Sequence, residues 1–180
     1  MRAIATDYLR RTMQTIPVKF REYIYRLRKR SNKEEIFDIL RKKFVALTPE
    51  ERVRQLLMHY LIFDMKYPKG LIGVEKGLIV NGKPRRADMI VYSTEGKAFM
   101  IIECKAPGVE ISQEVFDQAA LYNLQMKVPY LVVSNGTTTY CCRIDWETRE
   151  YVFENKFPIV EEKEKPPREK QSGFRKDREY

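Results

Sequence analysis

An α/β fold, with a central mixed β-sheet flanked by helices, is what this sequence predicts, and three observations carry the expectation. Two stretches have the helical period, several apolar segments have the length of strands, and turn signatures of the Asn-Gly and Glu-Gly kind separate them. Their order is helix, three strands joined as hairpins, helix, two strands. At 180 residues the chain has the length of one domain with peripheral segments, enough to bury a real core.

Residues 18–27 alternate in strand fashion. RKRSNKEE is a polar turn, after which EEIFDIL can return as a short strand or as a helical turn. LTPEERVRQLLMHYLI carries the clearest helix. Thr48 is a good N-cap, Pro49 fits the first helical position, and Glu51 completes a capping box with Thr48. Val53, Leu56, Leu57, Tyr60 and Leu61 form its apolar stripe, and YPKG ends it. GLIGVEKGLIV reads as a strand, NGKP as a turn, ADMIVYS as a strand, TEGK as a second turn and AFMIIEC as a third strand. SQEVFDQAALYNLQMK is the second helix, with Val115, Ala119, Tyr122 and Met126 on one face. VPYLVVS is an apolar strand, Asn135-Gly136 a hairpin turn and TTTYCCRID its partner. After Phe157 the chain becomes a charged, Pro-containing mixture with too little apolar content to pack, and a disordered tail is expected.

No apolar run approaches the ~20 residues of a membrane span, and the N-terminal stretch lacks an apolar segment with a small-residue cleavage site. Neither a membrane nor a secreted protein is expected. Of the three cysteines, Cys104 falls inside a strand and Cys141 and Cys142 adjoin in another. That is the pattern of reduced thiols in a cytosol, and there is no CxxC pair for zinc. His59, the single histidine, has no Cys or His at metal-ligand spacing and is expected on the helix surface. The net charge of +9 is uneven: residues 1–43 hold 13 Lys and Arg against 5 Asp and Glu, while residues 44–160 hold 14 of each. The excess centres on VKFREYIYRLRKR, where basic residues interleave with Phe20, Tyr23 and Tyr25 and run on through Arg26 and Arg28. Basic and aromatic residues so mixed suit phosphate contact and base stacking. They equally suit a solvated edge strand, where cations deter aggregation.

The chemistry concentrates in RRADMIVYSTEGKAFMIIECKAP, residues 85–107. Side chains two apart on a strand share a face, so Glu103 and Lys105 project together while Cys104 points oppositely. If ADMIVY and AFMIIECK pair through their short turn, Asp88 converges with both at one end of the sheet. Two carboxylates and a backbone oxygen suit a hard divalent cation such as Mg²⁺, which keeps several waters. Such a cation can polarise a phosphodiester and activate water, with the lysine offsetting transition-state charge. Spacing alone would leave a cross-strand salt bridge the stronger reading.

The motifs add to this. R-x-A-D, then E-C-K-A-P fifteen residues on, then Gln118-Ala-Ala-Leu-Tyr122, resembles the PD-(D/E)xK nuclease superfamily in its RecB-like branch. Within it the chain resembles the N-terminal nuclease domain of type I restriction enzyme motor subunits, over roughly residues 36–145. Ala87 stands where the superfamily name has proline. The chain has no GxxxxGK[ST] phosphate loop and no room for a helicase motor, so it is not expected to translocate DNA by itself. The resemblance implies a restriction-endonuclease-like fold with Asp88 and Glu103 as metal ligands, the Cys104 carbonyl as a third, and Lys105 as the catalytic lysine. It gives Gln118 and Tyr122, one helical turn apart, the task of holding the site or contacting the scissile strand. Tyr122 also belongs to the apolar stripe, whereas the Gln118 amide gains nothing from burial without partners. Related nucleases draw a further acid from the first helix. Glu51 has its capping duty, so Glu50, three and seven residues before Val53 and Leu57, is the expected inward acid, with Glu75 a further candidate. Arg85 and Arg86, just before Asp88, suit phosphate contact or a plain exposed turn.

The expected organisation is a basic segment with a β-hairpin packed on the domain (1–43), a nuclease-like domain (44–158) and a charged disordered tail (159–180). The expected function is cytoplasmic, Mg²⁺- or Mn²⁺-dependent hydrolysis of DNA. DNA and other restriction or repair subunits are the expected partners. The alternative is a nucleic-acid-binding or partner-docking module, or a structural subunit of a restriction complex, that keeps the fold without turnover.

Overall fold

A computed structural model describes residues 14–80, 83–148 and 150–160. Its N-terminal layer is a small antiparallel sheet of β1 (Leu27–Arg30), β2 (Lys33–Asp38) and β3 (Lys43–Ala46). The β1–β2 turn, Ser31-Asn32, has both residues at positive φ, 46° and 63°, as a two-residue hairpin of type I′ requires. EEIFDIL therefore returns as a strand, and KFVA, too short to stand out in the sequence, adds the third.

Residues 16–26 do not form the strand expected over 18–27, since ladder pairing begins at Leu27. Their alternation has another cause. Ile16, Val18 and Phe20 dock on the main core, Phe20 meets Tyr60 edge-on at 5.5 Å, and the Tyr23 hydroxyl donates to Asp64. The segment lies on protein through its side chains. Among the described residues its backbone bonds to the sheets only at its ends, where the Ile16 amide donates to the Thr139 carbonyl and the Phe37 amide to that of Arg26.

The first helix, α1 (Pro49–His59), starts as its cap predicts: the Thr48 hydroxyl accepts from the Glu51 amide at 3.1 Å. It runs on as a π-helical turn, Tyr60–Asp64, and closes at Met65. His59 is buried at 4% exposure, against the expectation of a surface position. Its Nδ1 donates to the Gln55 carbonyl at 2.8 Å and its ring lies among Tyr23, Tyr25 and Phe63. Burial holds its pKa below the ordinary value, so it is a neutral packing residue. The segment before the helix, which the periodicity of α1 could not reveal, supplies the aromatic rings that cover it.

The main sheet consists of β4 (Ile72–Val80), β5 (Lys83–Tyr92), β6 (Ala98–Cys104), β7 (Tyr130–Ser134), β8 (Thr139–Asp145) and β9 (Glu150–Glu154), side by side in sequence order. Every neighbouring pair is antiparallel except β6–β7. Parallel pairing needs a crossover, and α2 (Gln113–Met126) provides it. β9 is absent from the sequence reading; its Tyr151 and Phe153 share one face, but the residue between them is the apolar Val152. Their rings lie 6.2 and 5.3 Å from that of Phe116 on α2.

The helices cover opposite faces of the sheet. Leu57 and Met58 of α1 and Leu61 of the π-helical turn that follows it bury against Met89, Val91, Met100, Ile102, Val132 and Cys141. Phe116 and Ala119 of α2 bury against Ile90, Ile101, Leu131, Val133 and Cys142. This is the α/β architecture with a central mixed sheet that the sequence predicts. Adjacent Cys141 and Cys142 fall into different cores because successive strand residues point to opposite faces. At the C-terminal side Phe157 is buried, the Tyr67 hydroxyl donates to the Pro158 carbonyl, and Val160 packs against the main core. The rest of the expected tail, residues 161–180, lies outside the described residues. Among the described residues no helix is long and apolar enough to cross a membrane.

Candidate active site

The β5–β6 ladder ends at the pair Met89–Ile102. One residue beyond it, the side chain of Asp88 takes over from the backbone, its Oδ2 accepting from the Cys104 amide at 2.7 Å. The Cys104 thiol is buried among apolar residues, and burial pushes its pKa well up. Glu103 and Lys105, on either side of Cys104, are half-buried and bonded to each other, Lys105 Nζ donating to Glu103 Oε1 at 3.0 Å. Burial, and then the negative charge of Asp88, raise the Glu103 pKa more than Lys105 lowers it. Asp88, Glu103 and Lys105 therefore meet where the two strands part.

A second carboxylate pair comes from β4 and α1. Glu75 lies between the ladder pairs Val74–Met89 and Lys76–Ala87, yet its φ is +50°. A left-handed residue other than glycine inside a strand costs on the order of 1–3 kcal/mol and persists only where its surroundings impose it. Here the surroundings are arginines, Arg41 at 2.9 Å, Arg54 at 3.1 Å and Arg86 at 3.5 Å. Their charges outweigh burial and hold the Glu75 carboxyl below its ordinary range.

The acid that α1 turns inward is Glu51, 6% exposed, and not Glu50, which is exposed. Glu50 has the right helical phase, but side chains lean toward the helix N-terminus. In the first turn that carries Glu50 past anything able to cover it. The capping duty of residue 51 occupies only its amide, which leaves the carboxylate to bond Arg41 Nη2 at 2.6 Å and Arg54 Nη1 at 2.7 Å.

The result is a closed ionic ring. Glu51 and Glu75 each give one oxygen to Arg41 and the other to Arg54. Arg41 also binds Asp38 at 2.7 Å, and Gln55 Nε2 donates to Asp38 and Glu51. Burial would raise the Asp38 pKa, but the amide and guanidinium of Arg41 and the amide of Leu40 bring it below the ordinary value. Arg54 joins the ring to Asp88, its Nη2 donating to Oδ1 at 2.7 Å. Burial works against the Arg54 charge, and the charges of Asp88 and Glu51 more than restore it. Sequence reasoning missed Arg41 and Arg54. Arg54 did carry a signal, since it stands between Val53 and Leu57 on the apolar side of an amphipathic helix, where a cation needs partners.

Of the other candidates, one lies at the rim of this cluster and the rest lie apart from it or outside the described residues. Arg86 is exposed beside Glu75. Arg26 lies over the Phe37 ring at 4.5 Å, and Arg28 lies over Phe44 at 3.9 Å and bonds Glu35 at 2.5 Å, so both are engaged within the N-terminal sheet. Gln118 and Tyr122 belong to α2 and Arg85 to β5, but their side chains lie outside the described residues. Among the described residues no three His, Cys, Asp or Glu side chains form a ready-made metal cage. The oxygen donors of Asp88 and Glu103 are of the hard kind that suits a divalent cation retaining much of its water.

Residues 49–158, well over half of the chain, match the family described as Type I restriction enzyme R protein N terminus (HSDR_N). A search of curated proteins returns no match. Among solved structures, the chain is similar to one described as a fragment of an HsdR subunit of a type I restriction enzyme from Vibrio vulnificus YJ016. The two share 20% identity at a TM-score of 0.34, over 49% of this chain and 17% of that one. On the family match, this chain belongs to the type I restriction enzyme R protein N-terminal family.

Proposed function

We propose that the chain is a restriction-system nuclease module that hydrolyses DNA phosphodiester bonds with a divalent cation, Mg²⁺ or Mn²⁺. The observation that carries this reading is the convergence of Asp88, Glu103 and Lys105 beyond the last β5–β6 rung. Asp88 and Glu103, with the Cys104 carbonyl, are the groups that would hold the cation. When bound, the cation would polarise the scissile phosphate and make water a better nucleophile at neutral pH. The Cys104 amide orients the Asp88 carboxylate. Glu103 keeps the Lys105 ammonium at the same strand end, where it can orient water and offset the charge that develops on phosphorus oxygens. DNA is the proposed partner, together with other subunits of a restriction complex.

The test is incubation of the purified chain with supercoiled, linear and single-stranded DNA in Mg²⁺, in Mn²⁺ and in chelator. Cation-dependent cleavage by wild type, absent from Asp88→Ala and Lys105→Ala proteins that melt like wild type, is the expected result. Full activity in Lys105→Ala would sink the assignment.

A second reading, a binding or structural module without turnover, has one observation in its favour. Arg54 already sits on Asp88, and with Arg41 it neutralises part of the acidic cluster from within. Calorimetric titration with Mn²⁺ separates the two, because a module of this second kind gives no heat that depends on Asp88.

A further inference from the structure

We propose that Arg54 is the resident counter-ion of Asp88, displaced by a single nitrogen when a divalent cation binds. The inference rests on the cation-dependent reading above and adds how the site is held before the cation arrives.

The guanidinium divides its work. Nη1 serves Glu51 at 2.7 Å and Glu75 at 3.1 Å, and Nη2 serves Asp88 at 2.7 Å. The Nε–H is buried with no acceptor among the described residues. With its side chain 9% exposed, Arg54 has little water to turn to. Its position is therefore set by carboxylates on two sides, Asp88 on one and the Glu51–Glu75 pair on the other. Only the Nη2 bond reaches a proposed cation ligand. Arg41 holds the second oxygens of Glu51 and Glu75, so the Nη1 side is braced from behind and does not depend on Asp88.

That arrangement meets two opposed needs. Without a cation, Asp88 would face Glu103, Glu75 and Glu51 with mutual repulsion in a poorly hydrated place, and a guanidinium relieves it. With a cation on Asp88, a guanidinium on the same carboxylate becomes a close like charge, and the cheapest response is for Nη2 to let go while Nη1 stays. Arg54 thus lowers the affinity for cation, and in return keeps the acids ordered in its absence. A hydrophobic side chain of similar length would do neither.

The experiment is Mn²⁺ binding by calorimetry on the full chain, comparing wild type, Arg54→Met and Asp88→Ala, with thermal melts in chelator and in Mn²⁺. Arg54→Met is expected to bind Mn²⁺ at least tenfold more tightly than wild type, to melt lower in chelator and to recover most of that loss in Mn²⁺. Equal or weaker binding by Arg54→Met, with wild type binding and Asp88→Ala not, overturns the counter-ion role and leaves the cation site standing. No binding by wild type or by Arg54→Met overturns both. Should Arg54→Met fail to fold, the wild type answers alone through arginine side-chain ¹⁵N resonances in a Mg²⁺ titration. The Arg54 Nη signals are expected to move with the cation. Stationary Arg54 signals while the Glu103 carboxyl responds would overturn the proposal.

Discussion

Glu103 is a carboxylate held where its own charge is disfavoured, half-buried and facing Asp88, with Lys105 as partial relief. Its folded pKa is raised, so its favourable contribution to folding is fully present below the unfolded value and is lost as pH rises through the folded one. Glu103→Gln is therefore expected to melt above wild type at pH 7 in chelator, and the gap should close as pH falls below the ordinary 4.5. A variant that melts lower at pH 7 would mean that the Lys105 pair outweighs burial and Asp88. Asp88, Glu103 and Lys105 were legible in the sequence because strand alternation and a short turn are enough to bring them to one end. The ring was not, because Arg41, Glu75 and the Glu51–Arg54 pair of α1 come from three separate places in the chain. Helical spacing links only Glu51 with Arg54, and the positive φ that aims Glu75 leaves no mark in a strand of ordinary composition.

Among the elements, α1 has two anchors of different strength. Its cap is a single hydroxyl–amide bond, and Thr48→Ala should cost about 1 kcal/mol in chemical denaturation. Its ionic anchor to the N-terminal sheet is Arg41, whose removal takes one guanidinium from Asp38, Glu51 and Glu75 at once. Removing one member of a buried ionic set costs on the order of 3–5 kcal/mol. With the Arg41 side chain 13% exposed, Arg41→Met is expected near the lower end, about 3 kcal/mol. A cost below that of Thr48→Ala would show that the ring adds little to folding. The helices and the β4–β8 strands were readable because long amphipathic segments and Asn-Gly or Glu-Gly turns leave little choice. β3 was not, being four residues long and too short for a period to register, nor was β9, whose Tyr151 and Phe153 flank the apolar Val152 and so show no polar alternation. The false strand over 18–27 shows that docking on a core and pairing in a ladder give the same alternation.

At the scale of the whole molecule, charge is segregated. Residues 1–43 carry a surplus of eight positive charges, 13 basic against 5 acidic, while residues 44–160 balance. The family match starts at residue 49, so the basic sheet precedes it, although Arg41 reaches from that sheet into the ionic ring. A balanced domain with an acidic site has no net attraction for a polyanion, so most affinity for nucleic acid is expected from the N-terminal region. Lys29 and Arg30 lie on the exposed strand β1, beside Arg26 and Arg28 on their aromatic supports. Replacing Arg26, Arg28, Lys29 and Arg30 by glutamine should weaken duplex binding at low salt. The log–log salt slope should flatten by about 0.9 for each phosphate that is no longer neutralised. Fluorescence anisotropy across a salt series measures both, and an unchanged slope would confine these residues to a solvated edge.

The pairing of Cys141 with one core and Cys142 with the other has a use outside catalysis. Both thiols are fully buried, and burial pushes that of Cys141 up to about 12 and raises that of Cys142 as well, so neither offers a thiolate to an alkylating reagent in the folded state. Each becomes a clock for exposure of its own side of the sheet. If the two faces open only together, peptide mass spectrometry after timed alkylation in mild denaturant should find adjacent residues labelled at one rate. If α2 lifts while α1 stays, Cys142 should be labelled first, and two neighbouring atoms of sulfur would then time the two halves of the fold separately.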